Sequence, residues 1–384
     1  MRGNWRILIP IVLSFGLAAS AAQLPLIHTA SIDLGSYFNS TSGYGDNPLS
    51  IAFDGTNAYV GGLKNSTTSP ATVGVVKIEN VLGGAPLFTP LPGTLIANVA
   101  NTRGIDALGF ERGAGALLLA HDSGTGATGL INRYNPDGTL VWSIVGPQGN
   151  SRPFALAIDP VGDNGGPGVA FLVQGSGRRR LLSLANGATV YDGTNGGIIN
   201  TSPDSGSTWR ALAFDSDGDI IIQNQGAVGY GVRVNVNQWQ TLGGTPNLTT
   251  RALLKGTTAN VVGQGVAILE DLGSDLIAVS GRTMTTFTDS LGNVQNVDSR
   301  HVHLRNLDGT LTGLTQLALL GDENGIGAPW TGDIKNLAFG LDAAGTPTLL
   351  VASFVERRLD VYQIPEPSAL ALLAIGGLAL LRRR

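Results

Sequence analysis

The sequence contains no cysteine, and charged residues fill only 14% of its 384 positions. Without thiols there is neither a disulfide scaffold nor a cysteine-bound zinc. Aromatic residues are scarce at 6%, and there are four histidines. The formal net charge is −4, so a basic surface of the kind that grips nucleic acid is not expected. Low charge combined with a 42% apolar share excludes a disordered chain. Helical periodicity is also nearly missing between Leu24 and Ile364. Glycine, by contrast, is abundant. Its 55 residues are about 14% of the chain, roughly double the usual share, and they lack the three-residue period of collagen.

The two ends are unlike the rest. Arg2 and Arg6 precede an apolar stretch from Ile7 to Ala19, and Ala19-Ser20-Ala21 follows with small residues. Residues 1–22 therefore read as a signal peptide, cut by signal peptidase after Ala21 or Ala22. The alternative is an uncleaved anchor, but a membrane span needs about 20 apolar residues and this stretch is shorter. At the other end Pro365-Glu366-Pro367 comes first. An apolar stretch from Ser368 to Leu381 follows, and Arg382-Arg383-Arg384 closes the chain. The apolar stretch suits transient insertion into the inner membrane as a short transmembrane helix. The three arginines form a stop on the cytoplasmic side, and the proline pair holds extended backbone outside it.

This tail resembles the PEP-CTERM sorting signal of bacterial surface proteins. The resemblance implies that an exosortase recognises Pro365, Glu366 and Pro367, cuts nearby and passes the protein to the cell surface or extracellular matrix. A simple tail anchor is the competing reading. Setting aside five terminal arginines and Glu366 leaves 19 bases against 27 acids, a body of net charge −8, which repels anionic polymers.

Between the ends one phrase recurs: a segment of small and apolar residues ending in an acid, a glycine-bearing turn and a second apolar run. It appears at Leu49–Asp54, Ala107–Glu111, Ala155–Asp159, Ala211–Asp215, Val266–Glu270 and Leu337–Phe339. Taking Phe53, Phe110, Ile158, Phe214, Leu269 and Phe339 as anchors, the spacings are 57, 48, 56, 55 and 70 residues, room for the roughly 40 to 50 residues that four short strands and their turns need, the blade of a β-propeller. Six units fill residues 23–364. The last unit holds about three strands, and Ile27–Leu34 could supply the fourth, joining both termini in one blade and removing the free sheet edge. The expected fold is all-β: a propeller, six four-stranded blades, flanked by residues 1–22 and 365–384. At the level of pattern it resembles propellers of the NHL and gluconolactonase-like kind. A pair of β-sandwiches or a β-helix are the alternatives.

Candidate chemistry is sparse. Asp215, Asp217 and Asp219 could present alternate oxygens to calcium, but Ile220 and Gly226 stand where a calcium loop wants Gly and Glu. An ordinary turn explains them as well. His301 and His303, two apart, would share one strand face. His121-Asp122 ends an apolar run that could approach the propeller axis. No catalytic residues are assigned, since neither a Gly-x-Ser-x-Gly elbow nor a Ser-His-Asp set is recognisable. The functional expectation is an exported binding or structural module, with extracellular polysaccharide or a surface protein as partner. The alternative is an extracellular metal-dependent hydrolase or lyase at the axial opening. Three or more converging carboxylate, Asn or His side chains would favour the enzyme, and a channel lined by small apolar residues would favour binding.

Overall fold

The computed structural model describes residues 27–63, 72–97, 104–122, 129–145, 153–159, 168–173, 179–191, 209–214, 220–224, 231–234, 252–253, 263–269, 276–281, 286–288, 294–296, 301–306, 317–318, 334–354 and 356–363. The segments read as signal peptide (1–22) and sorting tail (365–384) lie outside these. All regular structure among the described residues is β-strand.

The first strand, β1 (Ile27–Asp33), stands apart from the next one in sequence. The first blade is β2 (Asn47–Phe53), β3 (Ala58–Leu63), β4 (Thr72–Glu79) and β5 (Leu87–Ala97), paired in that order. The second is β6 (Gly104–Glu111), β7 (Ala116–Asp122), β8 (Leu130–Tyr134) and β9 (Leu140–Val145). The third is β10 (Pro153–Asp159), β11 (Gly168–Val173), β12 (Arg179–Ser183) and β13 (Thr189–Tyr191). The fourth is β14 (Trp209–Phe214), β15 (Ile220–Asn224), β16 (Gly231–Val234) and β17 (Ala252–Leu253). The fifth runs β18 (Gly263–Leu269), β19 (Leu276–Gly281), β22 (His301–Asn306) and β23 (Leu317–Ala318), with a hairpin of β20 (Thr286–Thr288) and β21 (Val294–Asn296) inserted. The sixth is β24 (Ile334–Leu341), β25 (Pro347–Ser353) and β26 (Arg358–Gln363), completed by β1.

Neighbouring innermost strands touch in the sequence β2, β6, β10, β14, β18, β24, and β24 returns to β2. The ring is therefore closed: the protein is a six-bladed propeller. Antiparallel pairing of β1 with β26 makes the closure, Ile27 opposite Gln363 and Asp33 opposite Arg358. Asp360, 1% exposed, anchors this seam. It accepts a hydrogen bond from Ser31 Oγ, and lies 3.6 Å from His28 Nε2 and 3.0 Å from Arg358 Nη2. His28 also meets the Tyr362 ring edge-on at 5.3 Å. The terminal segment therefore supplies the sixth blade's outermost strand, as its alternating pattern suggested.

The recurring phrase has a packing explanation. Each innermost strand carries a one-residue register shift near its start, at Leu49, Asp106, Phe154, Arg210, Gln264 and Lys335. Two positions beyond the bulge stand Ile51, Leu108, Leu156, Leu212, Val266 and Leu337. Three beyond are Ala52, Gly109, Ala157, Ala213, Ala267 and Ala338. Four beyond are Phe53, Phe110, Ile158, Phe214, Ile268 and Phe339. Successive strand residues face opposite sides, so each blade turns its large residues to the preceding blade and its small ones to the following blade. Ile51 and Phe53 accordingly cluster with Ala338 of the sixth blade. Ala52 meets Leu108 and Phe110 of the second, and Ala107 meets Leu156 and Ile158 of the third. Small opposite large lets adjacent blades approach closely and exclude water. Gly109 is the extreme case, because a Cβ there would stand 2.7 Å from Leu156 Cδ2.

This register corrects one detail of the sequence reading. The fifth anchor is Ile268 rather than Leu269, since Ile268 lies opposite Ile277 in the place that Phe110 occupies opposite Leu117. The acid that follows the anchor is therefore present in four units (Asp54, Glu111, Asp159, Asp215) and replaced by Leu269 and Gly340 in the others. In the fifth blade β22 pairs with Leu317–Ala318.

Candidate functional site

The innermost strands converge on a central cavity of about 450 Å³ at the ends where they turn into their second strands. Among the described residues five blades contribute to it: its walls include Phe53, Phe110, Ile158, Ile268 and Phe339, with Ala52, Ala157, Ala267 and Ala338 beside them. The same small residues that let blades pack also bring backbone to the cavity surface. The innermost edge of a propeller blade keeps N–H and C=O groups directed at the axis. The site thus combines greasy side-chain walls with backbone hydrogen-bonding capacity, a usual composition for small-ligand sites.

Two charged side chains reach this space, and they differ in state. Glu111 is held by Arg133, Nη2 to Oε2 3.2 Å, with both side chains 16% exposed. Arg112, the next residue, stands in the turn between β6 and β7 and is exposed. Its Nη2 lies 3.5 Å from the carbonyl oxygen of Leu341, in the sixth blade. A Cβ on Gly340 would meet that guanidinium nitrogen, the flexible end of the Arg112 side chain, which would then have to shift. Sequence reading missed Arg112. Its only signal was a base next to an anchor acid, and its closeness to Leu341 depends on closing the ring.

The acids of the repeat do local work where they are described. Asp54 Oδ1 accepts from Thr56 N at 2.8 Å and Asn57 N at 2.6 Å, while Oδ2 accepts from Tyr59 Oη at 3.1 Å. That bond, the nearby carboxylate charge and burial push the Tyr59 hydroxyl up from its ordinary value. Asp342 likewise holds its turn, accepting from Ala344 N at 2.8 Å and Thr346 N at 2.7 Å, and takes Gln363 Nε2 at 3.0 Å. Such turns are the chemistry expected of Asp beside glycine.

Of the other candidates, His121 does not line the cavity. It ends β7, the second strand of its blade. It is 2% exposed, and among the described residues neither ring nitrogen has a hydrogen-bond partner. Burial alone lowers its pKa from 6.5 to about 4, so it is neutral near pH 7. His301 and His303 lie on the third strand of the fifth blade. The calcium candidates Asp215, Asp217 and Asp219 fall outside the described residues, in the connection from β14 to β15. So do Pro365, Glu366, Pro367 and Arg382, Arg383 and Arg384. Among the described residues, no group of three or more His, Asp or Glu is placed to hold a metal ion, and no helix is long and apolar enough to cross a membrane.

Comparison with known proteins bears on the tail and on the fold. No curated protein matches the chain in sequence. Solved structures similar to the propeller include two nutrient binding proteins. One is an auxiliary nutrient binding protein from Bacteroides thetaiotaomicron, at 8% identity and TM-score 0.51, covering 84% of this chain and 70% of that one. The other is an auxiliary nutrient binding protein from Bacteroides ovatus, at 11% identity and TM-score 0.52, again covering 84% and 70%. At such identities the likeness concerns the fold alone. Residues 363–384 match the PEP-CTERM protein-sorting motif, beginning two residues before the proline pair. The chain therefore ends in an exosortase sorting signal, which implies export, transient membrane anchoring and processing.

Proposed function

We propose that this protein is a ligand-binding module sent out of the cell, with the axial cavity as its binding site. On this reading residues 1–22 direct export, residues 365–384 are removed by an exosortase, and the propeller of residues 23–364 acts at the cell surface or in the extracellular matrix. One observation carries the binding role: a cavity of about 450 Å³ walled by Phe, Ile and Ala side chains from five blades. Enclosure of this kind suits a small ligand, because several blades can bury it at once. The structures of similar fold are named as nutrient binding proteins, and a role in capturing a small molecule is consistent with that.

The sorting half of the proposal is tested by intact-mass spectrometry of the protein from its producing cells, in cell-associated and released fractions. The expected mature form begins near Ala22 and ends near Pro365. A surface-located protein that keeps its tail through Arg384 would refute the processing. The binding half is tested by ligand-detected NMR with small apolar and amphiphilic probes, and no binding by any of them would refute the cavity as a site.

A further inference from the structure

We infer that the cavity takes a small monoanion with an apolar body, a carboxylate whose head is met by Arg112. This rests on the reading of the cavity as a ligand site and names the ligand's chemistry. Four observations lead to it.

First, the cavity lining carries apolar and aromatic side chains, among them Phe53, Phe110 and Phe339. Such side chains can bury an aryl or alkyl group. Burial of apolar surface stabilises by roughly 25 cal/mol per Å².

Second, among the described residues Arg112 is the one cation lining the cavity, and its one polar contact is the Leu341 carbonyl oxygen at 3.5 Å. An Arg guanidinium presents five donors in a planar fork that matches a carboxylate. Most of that fork is unused.

Third, the competing acids are engaged. Glu111 is paired with Arg133, Asp54 caps its own turn, and Asp342 holds another turn together with Gln363. None of these bonds involves Arg112, so an incoming anion does not have to displace a carboxylate.

Fourth, Gly340 makes the space for the guanidinium. The five other innermost strands carry Asp, Glu or Leu at this place. Any side chain there would drive Arg112 from its position against the sixth blade.

The body's charge narrows the class further. At net −8 outside the terminal segments, the propeller repels polyanions as a whole. A single negative charge loses little to this field and gains at Arg112, so a monocarboxylate is favoured over an acidic polymer.

The test compares 4-phenylbutyrate, 4-phenylbutanol and 4-phenylbutylamine as probes of the processed protein recovered from its producing cells, by calorimetry and saturation-transfer NMR. The expected result is that the carboxylate binds at least tenfold more tightly than the alcohol, with the amine weakest. Arg112→Gln should abolish that preference, the carboxylate losing at least tenfold affinity relative to the alcohol. Arg112 is exposed in a turn, and an unaltered circular dichroism spectrum verifies that the variant folds. Equal binding of all three probes, or an unaffected preference in Arg112→Gln, overturns the inference while leaving the cavity as a site. Failure of all three to bind overturns both. Arg112→Lys is the second variant: retained charge without the fork should recover part of the preference, and full loss there with full retention in Arg112→Gln contradicts the assignment.

Discussion

Lowering the pH should destabilise the propeller through one residue, His121. The imidazole is 2% exposed and neither nitrogen is hydrogen-bonded, so the neutral ring is tolerated while the cation is not. Burial lowers its pKa from 6.5 to about 4. A base with a depressed folded pKa takes up its proton first in the unfolded chain. Its contribution to stability is therefore full above the unfolded value of 6.5 and is lost as the pH falls from there toward 4. At about 1.4 kcal/mol per pH unit, the whole loss is about 3 kcal/mol, of which roughly 2 kcal/mol has gone by pH 5. The perturbation is His121→Leu, which keeps an apolar group of similar size and has nothing to protonate. Urea unfolding of both proteins at half-unit steps from pH 7.5 to 4.5 gives the difference, since the remaining titrating groups are common to both. The two curves should run together near pH 7.5, or with the variant somewhat higher because two unpaired nitrogens are gone. They should separate by roughly 2 kcal/mol at pH 5. Curves that fall in parallel throughout that range would refute the reasoning.

Two further predictions concern the architecture. Ala338→Leu puts a large residue where the sixth blade must offer a small one to Ile51 and Phe53, and should cost ~1–3 kcal/mol in unfolding free energy. The same change at exposed Ala343 should cost nothing measurable, and equal stability of the two variants would contradict the small-against-large account of the seams. A chain lacking residues 27–33 loses β1, uncovers the edge of β26 and leaves Asp360 without Ser31 and His28. It should elute as higher oligomers and bind a hydrophobic dye, whereas a monomer with unchanged melting temperature would show that ring closure does not need this strand.

Much of the fold was legible because the repeat is written in side-chain size. A blade wedged between two others must alternate large and small on its innermost strand, and Ala211-Leu212-Ala213-Phe214-Asp215 spells that out. The closing strand was legible for a different reason: Ile27 to Leu34 had no partner nearby, and the last unit was one strand short. The bulges were not legible, since a register shift at Phe154 or Gln264 leaves no mark in composition. Their invisibility explains the slip at Leu269, where Ile268 and Leu269 are equally apolar and only the pairing separates them. The cavity was legible as a class of lining but not as a site. Arg112 and Gly340 are 228 positions apart, and no local pattern says that a turn of the second blade reaches the sixth.

The seam between β1 and β26 has a consequence for the protein's biogenesis. The strand that emerges first from the ribosome must wait for one of the last before it finds its partner, with Thr29 bonding to Val361 across 332 positions. Long-range pairings of this sort form slowly, so the nascent chain crosses into its new compartment with a raw β-edge at its leading end. The clasp can shut only once Gln363 is out, next door to the segment the exosortase acts on. Folding and sorting are thereby brought to the same moment, and a product stalled short of its end can never seal its circle.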